Sequence, residues 1–245
     1  MQVVASEIEP HSPLRGSVLV VGNFDGFHCG HQRLIGLASQ IGRDLLPIGI
    51  MSVEPHPRQF FGEIVPFRLS TPKQKLAAAR AAGLDYLFQP AFDERFASLS
   101  PEAFVEQVLH QSLGVVHVVV GEDFRFGAKR AGDCATLARE CSLHGIEVTA
   151  VPLYRGYSSS AAREAILGGD IPLANEILGR YWQPEFNHAL PAPQLSRELI
   201  RPPAGFYRVR TTTGKTRTIE CDDDGRLISA FSQPVDRIQF IARLG

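Results

Sequence analysis

The sequence predicts an α/β protein with a doubly wound parallel sheet, followed by a small β-rich region. Over residues 18–179, short apolar runs alternate with segments of helical periodicity. Beyond residue 203, short β-branched segments are separated by tight turns. The apolar runs lack an alternating polar face, which is typical of strands buried on both sides of a parallel sheet.

Each strand of the predicted sheet is a short run of apolar residues, and each helix repeats its apolar positions every three or four residues. The strands are predicted at residues 18–21, 45–53, 86–88, 115–120 and 146–151. The helices are predicted at residues 30–41, 71–82, 134–144, 158–179 and from Ser100 onwards. Ser100 and Pro101 are a typical helix start, whereas Gly42 and Gly83 are typical stops.

A run of prolines after Trp182 predicts a boundary near residue 183, which separates residues 1–183 from residues 184–245. In the second part, strands are predicted at residues 206–213, 216–221 and 227–231. About 60 residues are marginal for an independent domain, so we expect this region to depend on the first.

Charge and composition narrow the classes of partner. The 25 basic and 26 acidic residues give a net charge of -1, so no global field attracts nucleic acid or an anionic membrane. No apolar stretch is long enough for a membrane span or a signal peptide, and we expect a cytoplasmic protein. The four cysteines contain no C-x-x-C pair, which predicts reduced thiols and no zinc site.

Residues 22–31 read G-N-F-D-G-F-H-C-G-H, directly after the first strand and at the start of the first helix. Glycine lets a phosphate approach the backbone, and the N-terminus of a helix favours negative charge. His28 and His31 can donate hydrogen bonds to phosphate oxygens and stabilise a leaving pyrophosphate. The alternative is a glycine-rich turn with two incidental histidines. The position between strand and helix favours a phosphate site.

Two further loops follow predicted strands. Residues 121–127 read G-E-D-F-R-F-G, and the rings of Phe124 and Phe126 can pack against a planar ligand. Alternatively, these rings fold back onto the core. Residues 54–58 read E-P-H-P-R, and their two prolines predict a stiff loop beside the site, or simply a rigid surface turn.

Residues 158–163 read S-S-S-A-A-R at the start of a later predicted helix. Hydroxyl groups and free N–H groups there, with Arg163 one turn on, can form a second clamp for anions. The alternative is a helix cap made by serine. Both interpretations can hold together.

Residues 22–31 resemble the H-x-G-H signature of the nucleotidylyltransferase superfamily, in the form of bacterial FAD synthetases. Four more segments resemble the same family in the same order, and the match extends over roughly residues 17–182. These segments are residues 54–58, 66–70, 121–127 and 158–163. The resemblance implies a Rossmann-like fold and transfer of AMP from ATP, with Mg²⁺, to FMN, giving FAD and pyrophosphate.

The resemblance also implies roles for individual residues. The catalytic candidates are His28, His31, Asn23 and Arg163. The candidates for binding ATP are Gly22, Phe24, Asp25, Gly30, Ser159 and Ser160. The candidates for binding the flavin are Pro55, His56, Pro57, Asp123, Phe124 and Phe126.

The sequence departs from the family pattern in two places. Gly156, beside Arg155, stands where family members often carry an arginine. Residues 178–181 resemble the junction into a riboflavin kinase module, yet its G-x-P-T-x-N segment is missing before residues 203–209, which resemble a later kinase strand. Residues 184–245 are therefore predicted to be a truncated, non-catalytic kinase-like region.

The sequence is also compatible with two other functions. One is a noncatalytic protein that binds flavin or nucleotide and derives from such an enzyme. The other is an adenylyltransferase with a different phosphate acceptor.

Overall fold

The computed structural model describes residues 1–43, 45–62, 66–187, 193–211, 213–228 and 237–245. The chain forms two compact units that interleave along the sequence. The first contains Met1–Phe24, His31–Ile64 and Leu76–Leu153, and the second contains Asp25–Gly30, Val65–Lys75 and Tyr154–Gly245. The single boundary near residue 183 stays a prediction.

The first unit is built on a six-stranded sheet in which all neighbouring strands are parallel. The strands are β1 (Gln2–Val4), β2 (Val18–Val21), β3 (Ile48–Met51), β4 (Tyr86–Phe88), β5 (His117–Gly121) and β6 (Glu147–Val151). Their order in the sheet is β1-β4-β3-β2-β5-β6. The chain leaves β2 towards one edge and returns to add β5 on its other side. This reversal confirms the predicted α/β fold, and ligands bind at such a point beyond the strand ends.

The strands form where the sequence is apolar on both faces. All four residues of β2 are buried, and Val118, Val119 and Val120 of β5 are fully buried. The strand predicted at residues 45–53 was too long, because Leu45 lies in an exposed turn and Pro47 cannot donate to a ladder.

Helical segments connect the strands. They are α1 (Cys29–Gly42), α2 (Pro57–Phe60), α3 (Pro72–Ala81), α4 (Glu94–Ala97), α5 (Pro101–Ala103), a π-helix (Phe104–Leu113), a 3₁₀ turn (Ala128–Arg130) and α6 (Cys134–Ser142). Ser100 caps α5 as predicted, because its Oγ accepts a hydrogen bond from the N–H of Ala103 over 3.1 Å. The helix predicted from Ser100 onwards thus comprises α5 and the π-helix, although the π-type hydrogen bonding was not predicted; α2, α4 and the 3₁₀ turn were not predicted either.

The N-terminal residues also contribute to the first unit. β1 pairs in parallel with β4 at one edge of the sheet. Arg15 donates to the carbonyl oxygens of Ile8 (2.8 Å) and Gln111 (3.1 Å), the second of which belongs to the last turn of the π-helix. A cation suits the negative end of a helix. The sequence analysis missed β1 because three residues are too few to show a period.

The second unit contains two helices, α7 (Ser159–Leu167) and α8 (Ile171–Leu178). One helix was predicted over residues 158–179, but Gly168 and Gly169 interrupt it, and Asp170 starts α8 by accepting from the N–H of Leu173 over 3.0 Å. Asparagine, aspartate and serine are preferred at such starts.

Short antiparallel strands complete the second unit. They are β7 (Phe186–Asn187), β8 (Gln194–Leu195), β9 (Gly205–Thr211), β10 (Thr216–Cys221) and β11 (Ile238–Leu244). β9 lies between β10 and β11 in a three-stranded sheet, and this confirms a β-rich C-terminal region. Of the strand predicted at residues 227–231, Leu227 makes an isolated bridge with Cys221, and residues 229–231 lie outside the described residues.

Two smaller observations concern the cysteines and the helices. All four cysteines are free thiols. Within the described parts of the chain, no helix combines the length and the apolar character needed to cross a membrane.

Gly49 of β3 provides a test of the packing in the first unit. A Cβ atom at this position would lie 2.1 Å from the ring of Tyr86, whose hydroxyl is 2.7 Å from Oγ of Ser17. We expect Gly49→Ala to lower the free energy of unfolding by about 1–3 kcal/mol or more, because the buried ring has to move. Gly36→Ala is the control: its Cβ meets nothing within 4 Å. In this helical position it should be stabilising by about 0.5–1 kcal/mol. If the two variants changed the free energy of unfolding in urea equally, Gly49 would not be in close contact with the ring of Tyr86.

Candidate active site

A buried carboxylate, Asp25, organises the segment that follows β2. It accepts hydrogen bonds from the backbone N–H groups of Leu69 (3.0 Å) and Ser70 (3.1 Å). Arg163 of α7 donates to it over 2.6 Å and also donates through Nε to the carbonyl of Phe67 over 2.8 Å. The side chains of Asp25 and Arg163 are 3% and 12% exposed, so this pair is weakly screened by solvent. The interaction fixes α7 to the turn that carries the first histidine.

The histidine turn, residues 25–28, has an unusual backbone. Gly26 (φ 80°) and Phe27 (φ 49°) both have left-handed conformations. Such a conformation is uncommon for a bulky residue and is kept only when surrounding contacts impose it. A Cβ on Gly26 would lie 2.7 Å from Cδ1 of Leu69, so glycine is required there for space as well as for backbone freedom.

Arg180 holds the same turn from the end of α8. Its Nη2 donates to the carbonyl of Gly26 over 2.7 Å, and its Nη1 lies 3.3 Å from the carbonyl oxygens of Phe27 and Leu178. The sequence analysis treated residues 178–181 only as a junction and missed this role. An arginine after a helix-ending glycine is too common to serve as a signal.

His28 is buried, and its imidazole packs over Gly30. A Cβ on Gly30 would lie 2.9 Å from the ring of His28 and 2.8 Å from the carbonyl oxygen of Tyr157. The space beside Gly30 is therefore filled by the protein's own atoms. The glycine of H-x-G-H is needed for this packing whichever ligand binds.

The charge state of His28 follows from its surroundings. Burial lowers its pKa to about 4, nearby Arg163 and Arg180 act in the same direction, and Asp25 opposes them. The imidazole is therefore neutral at pH 7. A neutral imidazole still donates one N–H, which is suited to a phosphate oxygen.

The three serines at the start of α7 have different positions. Ser158 is the cap, because its Oγ accepts from the N–H of Ala161 over 3.1 Å. Ser159 donates to the carbonyl of Asp25 over 2.9 Å, whereas Ser160 is exposed. The helix-cap interpretation is confirmed for Ser158. Phosphate binding by Ser159, Ser160 and Arg163 stays a prediction.

The first unit holds the other residues of the signature. Asn23 is exposed, and its carbonyl accepts from Oγ of Ser52 over 3.0 Å. Phe24 is fully buried with φ 50°, and its ring centroid lies 4.9 Å from that of His31. Phe24 thus supports the second histidine. Gly22 makes only an ordinary contact, since a Cβ there would lie 3.5 Å from Phe24.

The loop after β3 has a structural role that the sequence analysis did not predict. His56 is buried and starts α2, because its Nδ1 accepts from the N–H of Arg58 over 3.2 Å. Pro57 is the first residue of that helix, and Pro55 follows a cis peptide bond. Contact of these residues with a flavin stays a prediction.

A continuous chain of phenylalanine rings joins the loop after β3 to the loop after β5. Neighbouring ring centroids are 5.1 to 6.2 Å apart. The members are Phe60, Phe61, Phe92, Phe96, Phe104, Phe126 and Phe124. Phe126 is buried in the core, whereas Phe124 is partly exposed and Phe61 is 72% exposed. Asp123 is also exposed on the loop after β5.

The described residues contain no group of three His, Cys, Asp or Glu side chains placed to hold a metal. The oxygens of Asp25 already accept from two backbone N–H groups and from Arg163. Mg²⁺ is usually bound by one or two carboxylates together with substrate phosphates. These residues fit a metal ion that arrives on a nucleotide better than one held in a cage of protein ligands.

A parallel α/β sheet that carries H-x-G-H between its first buried strand and the following helix defines a nucleotidylyltransferase fold. The chain belongs more particularly to the FAD synthetase family: the family model described as FAD synthetase matches residues 11–162.

Individual relatives agree with this assignment. The bifunctional riboflavin kinase/FMN adenylyltransferase of Escherichia coli K12 is 37% identical over 174 residues, which are 69% of this chain and 56% of the relative. The chain thus spans about half the length of such curated relatives. The FAD synthetase of Listeria monocytogenes is 33% identical over 74% of this chain and 76% of its own.

A solved structure has a similar fold throughout. It is described as a macrolide-efflux protein from Streptococcus pneumoniae and gives a TM-score of 0.80 over 99% of this chain and 90% of that chain. Its sequence is 22% identical, so the likeness shows the fold alone.

The pair formed by Asp25 and Arg163 can be tested by stability. We expect Arg163→Met to lower the free energy of unfolding by about 3–5 kcal/mol, because it leaves a buried carboxylate without its cation. Arg139→Met removes an exposed arginine paired with Glu140 and should cost about 0–1 kcal/mol. Urea unfolding measures both. A loss for Arg163→Met no larger than for the control would show that the pair does not hold the turn.

The buried environment of His28 can be tested by measuring the free energy of unfolding as a function of pH. Between its ordinary pKa of 6.5 and the folded value of about 4, the unfolded chain binds a proton at His28 that the folded chain does not. The free energy of unfolding should therefore fall as the pH drops through this window, by about 3 kcal/mol in total for this group. His117 also has a lowered pKa, through burial, and acts in the same direction.

The contribution of His28 is isolated by comparing the pH dependence of stability of the wild type with that of His28→Gln. We expect His28→Gln to lose less stability between pH 7 and pH 4 than the wild type does, whereas His117→Gln retains the part due to His28. Parallel pH profiles for the wild type and His28→Gln would contradict the assigned environment.

Proposed function

We propose that this chain transfers AMP from ATP to the phosphate of FMN, forming FAD and pyrophosphate. The observation that carries the proposal is the neutral, buried His28, held in a strained turn by Asp25, Arg163 and Arg180. A phosphate-transfer site needs hydrogen-bond donors that are fixed before the reaction. The hydrogen bonds of these three side chains fix this turn.

The reaction needs no covalent intermediate with the protein. A phosphate oxygen of FMN attacks the α-phosphorus of ATP, a new P–O bond forms, and the bond to the β-phosphate oxygen breaks with pyrophosphate as leaving group. The nucleophile is already an anion, so no base is required to activate it. The protein aligns the two phosphates and stabilises the charge that moves to the leaving group.

The two histidines supply hydrogen-bond donors to these phosphates. His28 acts in its neutral form, which retains an N–H without the cost of burying a charge. His31, supported by the ring of Phe24, is the second donor, and Asn23 orients a phosphate through its exposed amide.

The start of α7 binds the distal phosphates in this proposal. Its free N–H groups and the hydroxyl of Ser160 face the ligand, while Ser159 and Arg163 keep α7 attached to the histidine turn. Arg163 has two of its three nitrogens bonded to Asp25 and Phe67, so Nη1 is the atom left for a phosphate. ATP enters as its Mg²⁺ complex, and the cation neutralises part of the phosphate charge.

The flavin binds on the side of the loops after β3 and β5. Phe124, Asp123 and the exposed ring of Phe61 are the groups there that can contact a planar ring system and its polar edge. The aromatic chain behind them keeps the rings in place. Residues 184–245 contribute no riboflavin kinase activity, because the G-x-P-T-x-N segment is missing from the stretch between residues 179 and 203.

One assay tests the proposal. The full chain is incubated with ATP, Mg²⁺ and either FMN or riboflavin, and the products are separated by chromatography. We expect FAD from FMN and no FMN from riboflavin. His28→Ala and His31→Ala should each lower FAD formation about a hundredfold or more while the proteins remain folded, because each removes a donor to the reacting phosphates. His11→Ala, at an exposed histidine before β2, is the matched control and should leave the rate unchanged.

Each part of the assay has a result that would contradict the proposal. Absence of FAD from the wild type would favour a noncatalytic binding protein. Unchanged rates in both histidine variants would remove them from the reaction. FMN formed from riboflavin would show that the C-terminal region has a kinase site in spite of the missing segment.

A further inference from the structure

We propose that Arg180 is a polyphosphate-binding residue of this site, in addition to holding the histidine turn. The inference deepens the proposed function, because it names a residue that recognises the triphosphate of the nucleotide. It rests on the position of the Arg180 guanidinium, on its remaining N–H donors and on its uncompensated charge.

The guanidinium is fixed beside the histidine turn. It donates to the carbonyl of Gly26 over 2.7 Å and contacts those of Phe27 and Leu178 over 3.3 Å. These contacts use three of the five N–H donors of the guanidinium, two at Nη1 and one at Nη2. The residue as a whole is exposed to solvent, and burial of the guanidinium lowers its pKa. Arg180 can therefore keep its contacts with the turn and still donate to a ligand.

The charge of Arg180 is not neutralised by a carboxylate. Among the residues that the structure describes, its partners are three backbone carbonyl groups, and it makes no ion pair. Arg163 is different, because Asp25 lies 2.6 Å from it and cancels its charge locally. With His28 neutral, Arg180 provides the net positive charge at the turn.

The groups around the turn define the ligand. Ser159 bonds to the carbonyl of Asp25, so the N-terminus of α7 lies against the histidine turn that Arg180 holds. A cation, a neutral imidazole donor and a helix N-terminus together favour an anion with several oxygen atoms. Arginine fits phosphate especially well because its planar fork can bind two oxygens at once. A polyphosphate is the class of ligand that matches all three.

The experiment measures binding and turnover separately. Affinity for inorganic tripolyphosphate and for ATP, without flavin, is determined by calorimetry for the wild type, Arg180→Met and Arg208→Met. Arg208 is an exposed arginine of β9 and serves as the control. We expect Arg180→Met to weaken both ligands tenfold or more, whereas Arg208→Met leaves both unchanged.

A second variant tests whether a guanidinium group at this position accounts for the affinity. Arg180→Ala should recover part of its lost affinity when guanidinium chloride is added at millimolar concentration, because the free cation can occupy the same place. Addition of sodium chloride at equal ionic strength should not restore it. Circular dichroism and urea unfolding, measured in parallel, show that each variant is folded.

The outcomes separate this inference from the function proposed above. If Arg180→Met binds tripolyphosphate and ATP as the wild type does, the inference is wrong, whether or not the wild type makes FAD. If the wild type binds both ligands through Arg180 but forms no FAD, the inference holds and adenylyl transfer fails. Equal weakening in Arg180→Met and Arg208→Met would also overturn it, because the effect would then be one of general charge.

Discussion

The buried pair of Asp25 and Arg163 is the interaction on which the histidine turn depends. A carboxylate with little access to water is stable only when its oxygens are bonded, and here backbone N–H groups and a guanidinium supply those bonds. The arrangement places three distant parts of the chain around one carboxylate. The conformation of the histidine turn follows from that convergence rather than from local preference.

The turn shows why such convergence is needed. Phe27 has a backbone conformation that a phenylalanine seldom adopts, and Gly30 leaves space for an imidazole and a carbonyl oxygen. Neither feature would persist in an isolated loop, because the free chain has lower-energy alternatives. Two hydrogen bonds offset this strain and position His28: Arg180 donates to the carbonyl of Gly26, and Oγ of Ser70 accepts from the N–H of Gly26.

Much of the first unit could be predicted because its signals are local. The apolar runs of β2 and β5 and the serine that caps α5 can be recognised within a few residues, and the H-x-G-H motif identifies the loop that matters. The pairing of Arg163 with Asp25 could not be predicted, because the two residues are 138 positions apart and an arginine in that motif suits a phosphate equally well. The cap made by His56 was missed, and the burial of Phe126 was left as one of two alternatives, for a related reason. Polar and aromatic residues on loops serve ligands and cores alike, and only their surroundings decide which.

The interleaving of the two units also bears on how the protein is made. Asp25 and Gly26 are synthesised 138 and 154 positions before their partners Arg163 and Arg180, respectively. At synthesis rates of about 5–20 residues per second, the turn waits roughly 7 to 30 s for the side chains that fix it. During that interval the sheet of the first unit can already assemble around β2, while the segment carrying His28 is still without its guanidinium partners. The histidine turn thus reaches its final form only after residues far beyond it in the sequence have been translated.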